Sequence, residues 1–277
     1  MEVASAKTAT GQQRSGVSRI LFWLSWAVPL LIVIAFVAAP PWSLLDKTRL
    51  VGYAVCHQIP ERSFFIAGEQ LPLCSRCSGT FLGAFAGFAV LTARGRRRAA
   101  NLPPLPVTIV LIAFILAMAV DGVNSYLTFF PGAFHLYQPH NLLRLTTGTL
   151  SGLALSNIIY PILNYTLWRD ATEEPALRSF RELGLIVIVA GTLSGLVALE
   201  PPLLLYPLAL LSTLGVLLLL GSVNAVLALT VTRREGKASR WRHLLWPALV
   251  GLAAALTQIT LIDLARATLT RALGLPF

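Results

Sequence analysis

Seven apolar runs, each bounded by charge, proline or both, leave few folds open to this chain; they fall at about 19–40, 77–93, 105–121, 142–167, 183–199, 203–231 and 244–264. A hydrocarbon core roughly 30 Å thick is crossed by about 20 helical residues rising 1.5 Å each, so most of these runs match a bilayer. With 56% hydrophobic residues and 12% charged, the chain is too apolar for a water-soluble domain. The expected fold is all-α: a polytopic transmembrane helix bundle of about seven spans in the cell membrane, with membrane lipids around it.

The first run is read as a retained span. A cleaved signal peptide has an apolar stretch of roughly 7 to 15 residues, and this one is longer, with prolines following Ala38 and Ala39. Residues 1–18, polar and without apolar periodicity, are expected to form a disordered tail. Residues 19–168 form a four-span domain with an external loop at 40–76, 169–182 form a polar cytoplasmic linker, and 183–277 form a three-span C-terminal part. Gly79, Gly83 and Gly87 recur every four residues in the second span, as do Gly148, Gly152 and Ser156 in the fourth. That spacing lines one helical face with small residues and lets two backbones approach, so these two spans are expected to dock.

The net charge of +10 raises the question of nucleic acid, and the distribution of the 22 Lys and Arg answers it. With seven spans, fifteen fall on one side, among them Arg94, Arg96, Arg97 and Arg98, and seven on the other. Cytoplasmic loops retain more Lys and Arg, which puts the amino terminus in the cytoplasm and the carboxyl terminus outside. The basic balance is thus a topology signal. No basic stretch is interleaved with a stacking platform, so no nucleic-acid partner is expected.

This topology puts Cys56, His57, Cys74 and Cys77 on the outer face. All three cysteines of the chain and one of its four histidines lie within twenty-two residues. Two thiols spaced Cys-x-x-Cys stand one helical turn apart and can meet a single ion, and thiolate with imidazole suits zinc or another transition metal. Cys56 is a third candidate ligand; the fourth is His57, His135, His140, Asp121 or water. The same residues support a redox reading, in which the Cys74/Cys77 pair passes disulfides to a membrane quinone and Arg76 between them favours thiolate. They also fit a plain structural disulfide with a spare cysteine. His135 and His140, among aromatics, read more simply as an interfacial belt.

Ionisable residues in the spans cluster at that same outer end: Asp121, Arg144, Glu200, Asp263 and Arg266. Charges in hydrocarbon usually face a bundle interior or a pathway, although residues near helix ends also snorkel to headgroups. Asp121 and Arg144 have polar neighbours and are expected to pair. Such an arginine can clamp the third and fourth spans through the carboxylate, or receive a phosphate or carboxylate of a small or lipid-linked substrate. The candidate functional residues are therefore His57, Asp121 and Arg144 for catalysis, and Cys56, Cys74, Cys77 and His57 for metal.

Around these residues the chain resembles a family of prokaryotic membrane proteins, domain of unknown function 2085. The resemblance rests on Cys56-His57-Gln58, Pro60, Arg62-Ser63-Phe64, Gly68, Leu71-Pro72, Cys74, Arg76-Cys77 and Gly79, then on Asp121-Gly122, Asn141, Arg144 and Thr147-Gly148. It covers roughly residues 50 to 165. It implies a membrane location and a joint Cys/His and Asp/Arg site, and it supplies no substrate. Three function classes follow: a membrane-embedded metalloenzyme, a quinone-linked thiol-disulfide oxidoreductase, and a non-catalytic transporter or assembly factor with a structural metal.

Overall fold

The computed structural model describes residues 20, 22–130, 132 and 134–273; the tail expected at 1–18 lies outside them. Among the described residues eight α-helices carry the fold: α1 (Phe22–Ala38), α2 (Leu44–Val55), α3 (Ser75–Ala93), α4 (Leu105–Leu127), α5 (Asn141–Leu167), α6 (Phe180–Leu199), α7 (Leu205–Val231) and α8 (Leu245–Leu273). Five of them, α3, α4, α6, α7 and α8, are long and apolar enough to cross a membrane. The protein is a multi-pass helical membrane protein. On α4 the side chains of Leu105, Ile109, Ile112, Leu116 and Val120 are exposed on the outside of the bundle, as a lipid-facing surface requires.

The helix α1 is shorter, and α5 is long but less apolar, because α5 is the polar centre of the bundle. Thr147, Thr149, Ser151, Ser156, Asn157 and Asn164 are all buried along it. Four of them turn their side chains back onto the backbone one turn earlier: Thr147 to the Leu143 carbonyl (3.0 Å), Thr149 to Leu145 (2.8 Å), and Ser156 and Asn157 to Leu153 (2.8 Å each). The expected docking of small-residue faces is present: α3 and α5 are the most extensively packed pair. A Cβ at Gly79 would overlap the Leu145 carbonyl, and one at Gly148 the Arg76 carbonyl, so the two backbones lie closer than any side chain permits. Around this pair α6 and α7 pack on one side and α4 on another, and α8 lies against α7.

Two segments differ from the sequence reading. Residues 44–55, assigned to a polar loop, form α2, capped by Ser43, whose Oγ accepts from the Asp46 amide (3.3 Å). Leu45, Thr48, Val51 and Gly52 form its buried stripe, which leans on α7 and α8. Three charges in one short amphipathic stretch conceal it from a hydropathy scan. The segment 169–182, assigned to a linker, is tied to the arginine-rich turn after α3. There β3 (Ala99–Asn101) pairs in parallel with β4 (Thr172–Pro175), Asn164 Nδ2 donates to the Arg96 and Ala99 carbonyls (3.0 and 2.9 Å), and Arg96 bonds Glu182 (2.6 Å). A second pair, β1 (Phe65–Ile66) with antiparallel β2 (Glu69–Gln70), forms a hairpin between α2 and α3. Its turn residues Ala67 and Gly68 both have positive φ.

Candidate functional site

Cys56 ends α2 in an extended conformation and Cys74 caps the amino end of α3, so the site depends on what holds these two helix ends together. Gln58 does most of this. Its Nε2 donates to the Arg49 carbonyl on α2 (2.8 Å) and to the Pro72 carbonyl on the segment entering α3 (2.7 Å), while Gln70 Nε2 donates back to the Gln58 carbonyl (2.8 Å). Gln58 itself turns the chain at φ 51°. Gly52 lets the Pro72 carbonyl lie directly on α2, where any Cβ would collide. Arg266, from the far end of α8, closes the arrangement by donating to the Cys56 carbonyl (2.8 Å) and to the Tyr53 carbonyl; its guanidinium lies 3.9 Å from the Tyr53 ring centre.

The result is a triad of sulfurs. Cys56, Cys74 and Cys77 are unbridged, and their Sγ atoms all lie within 4.8 Å of one another. Tetrahedral Zn–S bonds of roughly 2.3 Å put sulfurs about 3.8 Å apart, so a small contraction brings this set onto one ion. The backbone amides of Gln58 (3.4 Å) and Cys74 (3.2 Å) both donate to Cys56 Sγ, an arrangement that favours negative charge on that sulfur. Thiol hydrogen bonds from Cys56 and Cys77 pull Cys74 down to about 2, with Arg76 adding to the effect; Cys56, as donor to Cys74, is pushed up to about 11. The two effects on Cys56 compete.

Among the described residues no His, Asp or Glu joins the three thiols. His57 is exposed and outside the triad, as neighbours on an extended chain diverge. His140 caps α5, its Nδ1 accepting from the Leu143 amide (3.2 Å), and His135 meets Gln138 (2.9 Å). The expected pair of Asp121 with Arg144 does not form. Asp121, 1% exposed, is held instead by Arg76: Nε donates to Oδ2 (3.1 Å), and Nη2 reaches both Oδ2 and the Asp121 carbonyl (3.2 Å). Tyr137 Oη (3.0 Å) and Thr147 Oγ1 (3.4 Å) also donate to this carboxylate. Arg144 reaches one turn further along α4, donating from Nε and Nη2 to Ser125 Oγ (3.2 and 3.1 Å) and from Nη1 to Asn141 Oδ1 (2.8 Å). The reason is the level of each guanidinium: Arg76 rises from the first turn of α3 to the Asp121 turn, whereas Arg144, in the first turn of α5, meets the Ser125 turn.

Arg62 completes this layer, with Nη2 on the Ser125 carbonyl (3.3 Å) and its guanidinium 4.0 Å over the Phe129 ring. Burial, then the charge of Arg76, lowers its pKa. Three arginines therefore gather at the end of α4 around one carboxylate. Sequence reasoning missed Arg62, Tyr137 and Ser125, and it read Arg76 only as a modulator of thiols; the signal for Arg76 was its place between two candidate ligands. Of the other charges, Arg266 reaches Cys56, Glu200 is exposed, and the buried Asp263 carboxylate has no hydrogen-bond partner among the described residues.

Residues 56–158, which run from Cys56 into α5, match the family model described as "Predicted membrane protein (DUF2085)". The uncharacterized protein MJ1492 of Methanocaldococcus jannaschii is 30% identical over 122 residues, 44% of this chain and 72% of that protein. The chain belongs to the DUF2085 family. A second relative, an uncharacterized protein of Methanothermobacter thermautotrophicus, is 33% identical over 106 residues, 37% of this chain and 81% of that one. No solved structure matches. The DUF2085 match holds the three thiols, Arg62, Arg76, Asp121 and Arg144; α6, α7 and α8, including Arg266, lie outside it.

Proposed function

We propose that this DUF2085 protein holds one thiophilic transition ion, zinc by preference, on Cys56, Cys74 and Cys77, and that the site is a membrane-embedded metalloenzyme centre for an anionic, lipid-linked or small amphipathic substrate. One observation carries the reading: three unbridged sulfurs within 4.8 Å of one another, with two backbone amides directed at one of them. Three protein ligands leave a fourth position to an exogenous ligand, the usual composition of a catalytic rather than a structural zinc site. Bound there, the ion supplies Lewis acidity.

The protein's own groups have distinct parts. Arg62 and Arg144 orient the anionic group of the substrate, since their charges are met mainly by neutral oxygens. His57, exposed beside Cys56, moves protons. Asp121 is a positioning residue: it holds Arg76 and thereby the turn of α3 that carries Cys74 and Cys77. The seven runs cross the membrane with the amino terminus in the cytoplasm, and the thiols face outward.

A thiol-disulfide reading draws on Cys74, whose thiolate is stabilised by two neighbouring thiols as an attacking sulfur requires. Joining the Cys74 thiolate to the Cys77 thiol releases two electrons and one proton; with one further proton from water these reduce one quinone to its quinol. Elemental analysis with thiol titration separates the two. About one zinc per chain, absent from the triple Cys→Ser variant, supports the metal centre. A metal-free protein whose two thiols disappear on adding quinone replaces it with the oxidoreductase.

A further inference from the structure

At the end of the bundle away from the cysteines, the carboxyl ends of α5 and α7, the turn after α7 and the start of α8 enclose with α1 a cavity of about 360 Å³. Arg234, Lys237, Arg242 and His243 line one part of it, and no aspartate or glutamate does. Elsewhere at this end four arginines are compensated, Arg94 and Arg96 by Glu182, Arg98 by Asp170 and Arg178 by Glu174, so the acidic groups present are spent away from the cavity. Among the described residues Arg234, Lys237 and Arg242 enter no ion pair. Arg234 is ordered by the Trp246 ring, 4.6 Å from its centre, and Lys237 Nζ by the Arg233 carbonyl at 3.0 Å. Both contacts place a cation without neutralising it.

The remaining wall is apolar and aromatic: Phe22, Trp26, Leu229 and Trp246. Trp246 Nε1 donates to the Ser25 carbonyl (3.1 Å), which fixes α8 against α1 on this side of the cavity. A free inorganic anion is served by the cations and has no use for such a wall. A molecule with a phosphate at one end and hydrocarbon at the other uses both. Anionic lipid headgroups are drawn to clusters of Lys and Arg at the membrane surface.

We propose that this cavity binds an anionic phospholipid, its phosphate among Arg234, Lys237 and Arg242 and its acyl chains along Phe22, Trp26 and Trp246. The proposal is independent of the thiol triad and of any ion held there.

The test uses the full-length protein in detergent, titrated with brominated phosphatidylglycerol or brominated phosphatidylcholine, with tryptophan quenching as the readout. The wild type prefers the anionic lipid, and the R234Q/K237Q/R242Q variant loses that preference by at least roughly tenfold. The charge-retaining R234K/K237R/R242K variant keeps it, and so does R169Q/R178Q/R181Q, which removes three cations from the same end of the chain. Quenching at saturation falls in W246F more than in W42F. Equal preference in the wild type and R234Q/K237Q/R242Q overturns the proposal. So does displacement of the lipid by millimolar inorganic phosphate, which would make this a site for a free anion.

Discussion

Arg76 lies between two thiols in sequence and in space reaches a carboxylate on another helix, so it joins the sulfur triad to the polar layer beside it. Removing it leaves Asp121 buried with only Tyr137 and Thr147 as side-chain donors. Breaking one partner of a buried ion pair costs about 3–5 kcal/mol. Arg76→Gln is therefore expected to lower the thermal unfolding midpoint in detergent far more than the double change Arg76→Gln/Asp121→Asn. Arg144→Gln removes a guanidinium that meets no carboxylate, and its cost is expected to stay below that of Arg76→Gln in the same assay. At the site itself, each single Cys→Ser change is expected to reduce bound zinc severalfold by elemental analysis, whereas His57→Ala leaves the metal content unchanged. The sequence marked Cys56, Cys74, Cys77, Asp121 and Arg144 by residue type and spacing alone. It did not mark which guanidinium meets which carboxylate, because that is decided by the height at which helices distant in sequence lie side by side.

At the scale of elements, the approach of α3 to α5 rests on glycines, and these are unequal. A Cβ at Gly79 or Gly148 meets backbone, whereas one at Gly191 or Gly195 on α6 meets nothing within 4 Å. Gly79→Ala and Gly148→Ala are expected to destabilise by about 1–3 kcal/mol as the helices are forced apart. Gly191→Ala and Gly195→Ala are expected to leave the unfolding midpoint nearly unchanged. The four-residue period predicted the first pair correctly, yet the second pair has the same period and meets no partner among the described residues, so periodicity identifies a small face without saying what covers it. The helix α2 was invisible for a different reason: it is too short to span and too charged to look buried, and only its contacts with α7 and α8 give its apolar stripe a place. Gln58→Ala removes the bridge between α2 and the entry to α3. Cys56 is then expected to react with a maleimide several times faster than in the wild type, a rate that thiol labelling reads directly.

At the scale of the whole molecule, the charge asymmetry and the long apolar helices together define a membrane protein, and the seven-run topology makes a prediction of its own. A membrane-impermeant thiol reagent added to intact cells is expected to label the cysteines once the metal is stripped, and a reporter fused to the amino terminus is expected to read as cytoplasmic. Labelling only after the cells are opened would reverse the proposed orientation. The bundle was legible because hydrocarbon imposes length and apolarity on every crossing. The helix α5 shows the limit of that rule, since the most central of the long helices is less apolar than the five that meet the bilayer's demand.

The contact of Arg266 with the Cys56 carbonyl means that the last helix finishes what the first cysteine begins. A chain cut short before Ala265 would retain every sulfur and every residue of the family match, yet nothing from α8 would then hold the backbone at Tyr53 and Cys56. Completeness at the carboxyl end is thus a condition for order near the opposite end of the sequence, and a shortened protein is a poor stand-in for the whole.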